Sequence, residues 1–505
     1  MLCMNKQIGL KASLILVLAC TLQVASAQML GVFENQSDIG DIKHPGTATY
    51  DSVAQQYTVS GSGGNIWGAH DAFHFLWKRM HGNFILQARG AFIGKGAEAH
   101  RKWGWMVRNS LDSTSAMASV LVHGDGLVAF QYRKTNGGNV QEQRSAVTAP
   151  DVIQLERRDS VFIMSVAHFG ETYTEITSDS VALNDDVYVG LFVCAHNNDV
   201  VEKATFNNVR IVVPAGKDLV AYKQYLGSYI ELLDVTTGER KIVYSSPESL
   251  QAPNWMHDGK NLIYNSNGLI YRFDLSTKMP QVINTGSVKG NNNDHVISFD
   301  GKMLGLSSSG ADAKQGSLVF TVPIQGGTPK QITPIGPSYL HGWSPDGKWL
   351  AFVGQRNNEF DIYKAPSGGG AEIRLTTTPG LDDGPEWSPD GKYIYFNSVR
   401  SGSMQLWRMK PDGTNAEQLT NDNLYNWFPH ISPDGKWIAF ISFLPSEVKP
   451  DEHLFYKHVY LRLMPANGGT PKVIAYVYGG QGTINTPSWS PDSKHVAFVS
   501  NTGMK

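Results

Sequence analysis

The chain has 505 residues, with 43 Lys and Arg against 45 Asp and Glu, so its formal net charge is −2. This length leaves room for two or more domains, and the balanced charge provides no basic excess that would attract nucleic acid or an anionic membrane. The 51 Gly and 24 Pro residues, with abundant Trp and Tyr and no long amphipathic run, predict a turn-rich all-β protein.

Residues 1–27 have the pattern of a secretory signal peptide. Lys6 and Lys11 precede an apolar run, and an Ala-Ser-Ala cleavage motif ends at Ala27. The apolar run is too short to span a bilayer. We therefore expect cleavage after Ala27, a mature chain without a transmembrane segment, and a periplasmic or secreted location in a bacterium.

A lipoprotein signal is the alternative to this leader. Residues 17–20 read Val-Leu-Ala-Cys, which loosely matches a lipobox and would place a lipid anchor on Cys20. Removal of the leader leaves Cys194 as the only Cys of the mature chain. One thiol forms no internal disulfide, so packing must provide the stability.

Residues 28–215 are predicted to form a first domain, a β-sandwich. About nine short strands alternate there with Gly-rich turns, and no segment has a helical pattern. The domain resembles the concanavalin A-like jelly-roll domains found beside sugar-acting proteins in bacteria. This resemblance rests on the segments at residues 71–75, 82–84, 100–108, 190–193 and 206–209.

The resemblance implies a concave sheet to which glycans bind. Aromatic faces stack on sugars and Arg side chains bond hydroxyl groups, which makes Trp105, Arg108 and Arg133 candidate ligand contacts. The alternative is that the aromatic side chains belong to the core and the Arg side chains lie on solvated strand faces.

Residues 216–505 repeat a pattern of an apolar residue, a tight turn and an apolar strand. The fullest copy reads Trp-Ser-Pro-Asp-Gly-Lys at residues 387–392. Four antiparallel strands in about 44 residues are the unit of a β-propeller, so six turns predict six blades. The turn Asp recurs at intervals of 42, 46, 44, 44 and 58 residues, as Asp258, Asp300, Asp346, Asp390, Asp434 and Asp492.

The last repeat is expected to be completed by strands from the start of this domain. Residues 229–235 and 241–244 supply its outer strands, which joins the two ends of the ring and removes free sheet edges. Residues 219–224 are also predicted to form a strand, which has no clear place in this scheme.

The repeat resembles the propeller of the TolB family, the periplasmic protein of the Tol envelope system. Related repeats form the propellers of prolyl-oligopeptidase-like peptidases and of oligogalacturonide lyases. TolB carries an α/β domain before its propeller, where this chain has a predicted sandwich, and no Gly-x-Ser-x-Gly elbow of a peptidase with its hydrolase domain is found. The resemblance implies a fold, and propellers host many activities.

The residues just before each turn are predicted to converge at one mouth of the propeller channel, because the links between blades pass there. They carry amide, carboxylate, imidazole and aromatic groups. The candidate ligand-binding residues are Asn254, Asp294, His295, His341, Asp382, Asp383, Glu386, Asn426, Trp427, His430 and Asn485.

Two chemistries suit this set. Imidazole and carboxylate groups hold divalent cations, so His295, His341 and His430 are candidate metal ligands, and a divalent metal is the one cofactor that the pattern suggests. The same groups bind sugars or act as general acid and base, for which His341, His430 and Glu386 are the catalytic candidates. The spacing leaves open a metal-free pocket, a metal site, and solvated loops without a role.

The longest interval inserts residues 444–458 into the fifth blade. This polar segment is equally consistent with a rim around a site and with a surface excursion.

These patterns leave three functions open. The first is a periplasmic or secreted binding protein that recognises a carbohydrate or an envelope protein through the channel mouth and the concave sheet. The second is a carbohydrate-active enzyme, a lyase or glycoside hydrolase, that uses the channel-mouth residues. The third is a Tol-like scaffold for envelope assembly.

Overall fold

The computed structural model describes residues 30–309 and 316–504. The predicted signal peptide, its cleavage site after Ala27 and the alternative lipid anchor at Cys20 lie outside these residues. Within them the chain forms strands and turns without helices, which confirms the all-β prediction for this part. Accordingly, the described ranges contain no helix long and apolar enough to cross a membrane.

The N-terminal part consists of two seven-stranded antiparallel sheets and a short hairpin. The strands are β1 (Asn35–Ile39), β2 (Thr47–Asp51), β3 (Gln56–Gly61), β4 (Ile66–Trp67), β5 (His70–Asp71), β6 (Phe73–His81), β7 (Phe84–Phe92), β8 (Lys102–Arg108), β9 (Met117–His123), β10 (Val128–Arg133), β11 (Gln141–Arg144), β12 (Val152–Arg158), β13 (Val161–Ala167), β14 (Thr174–Thr177), β15 (Asp186–Cys194) and β16 (Glu202–Val212). One sheet has the order β1-β6-β15-β8-β9-β10-β11, and the other β14-β13-β12-β7-β16-β3-β2.

Successive side chains of a strand point to opposite faces of its sheet, so each sheet has one face that packs against the other sheet. In β8, Trp103, Trp105 and Val107 enter the core between the sheets, whereas Met106 packs on the opposite face. The chain therefore folds here as a β-sandwich. Its assignment to the concanavalin A-like domains stays a prediction.

The C-terminal part is a propeller whose strands follow the repeat. They are β17 (Gly227–Asp234), β18 (Arg240–Ser246), β19 (Gln251–Trp255), β20 (Asn261–Ser266), β21 (Leu269–Asp274), β22 (Pro280–Val282), β23 (Asn291–Ile297), β24 (Met303–Ser309), β25 (Ser317–Pro323), β26 (Lys330–Gln331), β27 (Ser338–Trp343), β28 (Trp349–Arg356), β29 (Glu359–Pro366), β30 (Ile373–Arg374), β31 (Asp382–Trp387), β32 (Ile394–Ser398), β33 (Gln405–Met409), β34 (Glu417–Gln418), β35 (Tyr425–Ile431), β36 (Trp437–Phe443), β37 (Phe455–Pro465), β38 (Lys472–Gly480) and β39 (His495–Thr502).

Six blades form the ring. Strands β19 to β38 make five consecutive four-stranded sheets, and the sixth blade has the order β18-β17-β39, with an inner bridge between Trp489 and Val496. Strand β39 pairs with β17 from Gly227 opposite Thr502 to Asp234 opposite His495. This pairing confirms the predicted closure of the ring by strands from the start of the domain.

The repeated turn is a local hydrogen-bonded unit. The Ser388 hydroxyl donates to Asp390 Oδ1 at 2.7 Å, and the Lys392 backbone N–H donates to the same oxygen at 3.1 Å. Gly391 takes the left-handed position, with φ of 71°. The Ser–Asp bond recurs in the turns of Asp346, Asp434 and Asp492, so these Asp residues are parts of the scaffold.

Sandwich and propeller share buried polar contacts. Glu231 of β17 is fully buried and accepts hydrogen bonds from Arg210 of β16 at 2.6 Å and from Arg240 of β18 at 2.8 Å. Arg240 also donates to Gln87 of β7 at 2.9 Å. One charged network therefore joins the sheet that contains β7 and β16 to the last blade.

The linker at residues 213–226 lies against the propeller. The backbone N–H of Ala215 donates to the Tyr478 hydroxyl at 3.0 Å, and that of Leu226 donates to the Tyr456 hydroxyl at 2.9 Å. The predicted strand at residues 219–224 is wrong: these residues contain a turn and are part of this linker.

Candidate functional site

The innermost strand of each blade lines the central channel, and all of these strands run from the same mouth of the channel toward the opposite mouth. In β27, Tyr339 and His341 line a pocket at one mouth, whereas Gly342 and Trp343 line a pocket at the other. The expectation that all candidate residues meet at one mouth is therefore corrected. Residues early in each strand reach the first mouth, and residues late in the strand reach the second.

The first mouth holds a pocket of about 490 Å³, which we call the polar pocket. Four predicted residues line it: Asp294, His341, Asp383 and Asn485. The other lining residues are Tyr222, Asn292, Asn293, Tyr339, Val353, Phe360, Leu381, Phe428, Asp451, His453 and Gln481.

Asp383 lies between two imidazoles in this pocket. Its Oδ1 is 3.3 Å from His341 Nε2, and its Oδ2 is 3.9 Å from His453 Nε2. Burial opposes the charged form of both partners, but the hydrogen bond and mutual attraction outweigh it, so the pKa of His341 is raised and that of Asp383 is lowered. Both shifts favour the charged forms of this buried, hydrogen-bonded pair.

Asp294 has the opposite electrostatic environment. Burial raises its pKa to about 7; the negative charge of Asp383 adds to this effect, and the charge of His341 opposes it. Burial also lowers the pKa of His453, although Asp383 and Gln481 work against that change. The pocket thus combines a carboxyl group whose pKa is near neutral pH with a buried His–Asp pair.

Aromatic rings hold the two imidazoles in place. The Phe428 ring stacks on His341 with centroids 5.6 Å apart, and His453 packs edge-on against Phe428 and Trp427. Trp427 itself is fully buried in the core. It therefore positions His453 and does not line the pocket.

The second mouth holds a pocket of about 320 Å³, the aromatic pocket, which contains the predicted residues Asn254 and Glu386. Its walls are the Trp and Pro side chains of the repeats, including Trp343, Trp387 and Trp489. Because it contains few polar groups, we consider the polar pocket the better candidate for chemistry.

Two predicted His residues lie in the channel wall, outside both pockets. His430 Nδ1 is 2.7 Å from Glu386 Oε2, and its Nε2 is 2.8 Å from the Ile484 carbonyl oxygen. His295 is fully buried, and burial lowers its pKa to about 4.

Two further candidates have structural roles: Asp382 is bound within the fourth blade, and Asn426 joins that blade to the fifth. Asp382 accepts two hydrogen bonds from Arg400 Nη2, at 3.0 and 2.9 Å. Asn426 is fully buried and bonds Gln405, Thr420 and Ser442. Neither side chain lines the polar pocket, so both predicted ligand contacts are corrected to structural positions.

The sandwich candidates are also corrected. Trp105 is fully buried in the core between the sheets. Arg108 and Arg133 are fully buried as well: Arg133 donates to both oxygens of Asp71, at 2.9 and 2.6 Å, and Arg108 lies 3.5 Å from the same carboxylate. Arg108 and Arg133 are therefore not accessible to a ligand, because the hairpin that carries Asp71 covers them.

The candidate metal ligands do not converge. In residues 30–309 and 316–504, no group of three or more His, Cys, Asp or Glu side chains is arranged to hold a metal ion. Both ring nitrogens of His430 are engaged, and those of His341 face Asp383 and the Asn485 carbonyl oxygen. The metal-site prediction for His295, His341 and His430 therefore finds no support in the geometry.

Tertiary structure adds residues that the sequence did not single out. Asp451 and His453 reach the polar pocket from the insertion at residues 444–458, and Tyr222 reaches it from the linker. The unusual length of the insertion could have indicated Asp451 and His453. For Tyr222 the only indication was that residues 219–224 had no place in the repeat.

Comparisons with known proteins agree with the propeller. The PD40 family model, described as the TolB beta propeller domain, matches residues 340–449. The uncharacterized protein Atu1656 of Agrobacterium fabrum is 42% identical over 273 residues, which are 54% of this chain and 92% of that protein. A solved structure described as a TolB candidate from Agrobacterium tumefaciens is 41% identical, covers 56% of this chain and all of its own, and has a TM-score of 0.53.

Proposed function

This chain belongs to the TolB-like β-propeller family, and from that premise we propose that it is a periplasmic or secreted binding protein of the bacterial envelope that recognises a carbohydrate in the polar pocket. The signal-peptide pattern of residues 1–27 supports the location. A protein partner of the envelope is the alternative ligand that the family suggests.

The observation that carries the proposal is the composition of the polar pocket. Carboxylates, imidazoles and carboxamides surround a concave space that also has aromatic walls, notably Tyr222 and Tyr339. Sugars present hydroxyl groups that both donate and accept hydrogen bonds, and C–H faces that pack on aromatic rings. This pocket offers both kinds of contact at a channel mouth.

Substitution of Asp383 tests the proposal. Because the Asp383 carboxylate holds both His341 and His453, we expect Asp383→Asn to weaken glycan binding at least about tenfold. Binding is measured by isothermal titration calorimetry with ligands found on a glycan array. The far-ultraviolet circular dichroism spectrum shows whether the variant is folded.

Phe299→Ala is the matched control, since Phe299 lines the aromatic pocket at the opposite mouth. It should leave the affinity unchanged. The reverse result, in which Phe299→Ala weakens binding and Asp383→Asn does not, would place the ligand in the aromatic pocket and contradict the proposal.

A second function is favoured by one specific observation. The Asp294 carboxyl, with a pKa of about 7, shares the pocket with the buried His341–Asp383 pair, and such a combination suits general acid–base catalysis. The protein would then be a lyase or glycoside hydrolase. Reducing-end and ultraviolet assays on each bound oligosaccharide distinguish this enzyme from a binding protein, because only the enzyme forms new ends.

A further inference from the structure

A second pocket of about 200 Å³ adjoins the polar pocket, and we call it the amide pocket. The two pockets share four wall residues: Tyr222, Asn292, Asn293 and Gln481. The rest of the amide pocket is lined by Tyr225, Ser249, Gln251, Asn265, Asn267, Gly268, Asn291 and Phe455.

The amide pocket is polar without being charged. Seven of its lining side chains are carboxamides, and none is acidic or basic. The polar pocket, by contrast, contains Asp294, Asp383 and Asp451 together with two imidazoles. A charged group in the amide pocket would therefore lack a countercharge, whereas an uncharged hydroxyl group would find both donors and acceptors.

Two carboxamides of this pocket have unused hydrogen-bonding capacity. Asn291 and Asn293 are almost completely buried, yet Asn291 Oδ1 and Asn293 Nδ2 have no hydrogen-bond partner among the described residues. Their neighbour Asn265 is already engaged, since its Nδ2 donates to the Asn291 and Leu269 carbonyl oxygens. Buried polar atoms are seldom left unpaired in proteins, so a free acceptor and a free donor here point to a ligand.

The outer wall of the amide pocket is aromatic and open to solvent. Tyr222 is 58% exposed and Tyr225 is 42% exposed, although both rings pack against Phe455, with centroids 5.1 and 5.8 Å away. Exposed Tyr rings that are held by a third ring offer a flat surface at the boundary between the two pockets. Such a surface suits stacking on a sugar.

We propose that the amide pocket is a subsite for an uncharged sugar residue, adjacent to the one in the polar pocket. The ligand is then an oligosaccharide of at least two residues, whose chain passes Tyr222 and Asn293. This inference rests on the proposed function, because it extends the same binding site.

The experiment is a titration of ligand length. Glucose, xylose, galacturonic acid and the cello-, malto-, xylo- and galacturonic acid oligosaccharides of two to four residues are titrated into the protein by calorimetry. For the series that binds, Kd should fall about tenfold or more from one residue to two, which is the effect of one stacking contact with its hydrogen bonds. In Tyr225→Ala and Asn291→Leu, which change residues that line the amide pocket alone, this gain should be lost, while the Kd for the monosaccharide stays the same.

The controls separate this inference from the proposed function. Trp437→Ala removes another exposed aromatic side chain, 38% exposed at the start of β36, and should keep the gain. If the monosaccharide binds but Kd does not fall with length, or if Tyr225→Ala keeps the gain, the subsite is refuted and the proposed function stands. A gain confined to oligogalacturonides refutes its uncharged character, and failure of every sugar to bind refutes both proposals.

Discussion

At the scale of single residues, burial decides what each acidic side chain of the propeller does. Asp390 sits in an open turn, where its bond from the Ser388 hydroxyl and its contacts with Lys392 lower its pKa to about 2. Asp294 is the same residue type in a closed pocket, and burial raises its pKa to about 7. The first remains ionised as a structural acceptor, and the second is available for proton exchange near neutral pH.

Asp294 should make stability depend on pH. Because its folded pKa lies above the usual value near 4, the folded state binds more protons than the unfolded state between pH 4 and 7, so the free energy of unfolding falls as pH rises through that window. From pH 4.5 to pH 8, the free energy of unfolding of Asp294→Asn should rise by about 2–4 kcal/mol relative to that of the wild type. Urea unfolding at the two pH values measures the change.

Asp390→Asn is the control for this measurement. The Asp390 carboxylate is ionised in the folded state and mostly ionised in the unfolded state already at pH 4.5, so the effect of Asp390→Asn on stability should be the same at pH 4.5 and 8 to within a few tenths of a kcal/mol. Parallel pH profiles for Asp294→Asn and the wild type would show that Asp294 titrates normally.

At the scale of elements, the inner strands are joined across blades by side chains that the sequence suggested for catalysis. Glu386 of β31 accepts a hydrogen bond from the Ile431 backbone N–H at 2.9 Å and lies 2.7 Å from His430 Nδ1, both on β35. His430 in turn contacts the Ile484 carbonyl oxygen. These contacts join the fourth blade to the fifth and to the segment that precedes the sixth.

Glu386→Gln should therefore affect stability more than ligand binding. The variant retains one acceptor oxygen but loses the charge-assisted bond to His430, and we expect the free energy of unfolding to fall by about 1–3 kcal/mol with an unchanged Kd for the glycan. As a control, Glu359→Gln changes a half-exposed ion pair with Arg374, and its free energy of unfolding should fall by less than about 1 kcal/mol. Loss of turnover or binding with full stability would instead restore Glu386 to the functional site.

At the scale of the whole molecule, the two domains are connected by more than the linker. Burial would raise the pKa of Glu231, but the charges of Arg210 and Arg240 lower it to about 2, so the carboxylate stays ionised inside the interface. Tyr173 of the sandwich also stacks on Tyr476 of the propeller with centroids 4.2 Å apart. The linker and its Tyr222 are consequently held beside the channel mouth.

Glu231→Gln should loosen this interface. It leaves two buried guanidinium groups without their countercharge, and we expect a loss of about 3–5 kcal/mol in the free energy of unfolding, with faster proteolysis in the linker at residues 213–226. Glu417→Gln, which changes an exposed carboxylate paired with Arg408, is the matched control, and its free energy of unfolding should fall by less than about 1 kcal/mol. An equal, small loss in both variants would show that apolar packing alone holds the domains together.

The repeat and its blades were readable from the sequence because their causes are local. The Ser, Pro, Asp and Gly of each turn interact within a few residues, and the strands beside them alternate with a period of two. The same reasoning gave the closure of the ring and the β-sandwich that precedes it. It also located Asp294, His341, Asp383 and Asn485, because the start of each inner strand follows directly from the repeat.

By itself, then, the sequence determined the architecture: an all-β chain in which a sandwich precedes a propeller of six blades. Only the tertiary structure decided which mouth of the channel each polar residue reaches, because an inner strand exposes its two ends at opposite mouths. It also decided that Asp71 closes over Arg108 and Arg133, and that Tyr222 and His453 join Asp294 in one pocket. These groups are far apart along the chain, and only the packing of whole elements brings them within reach of one another.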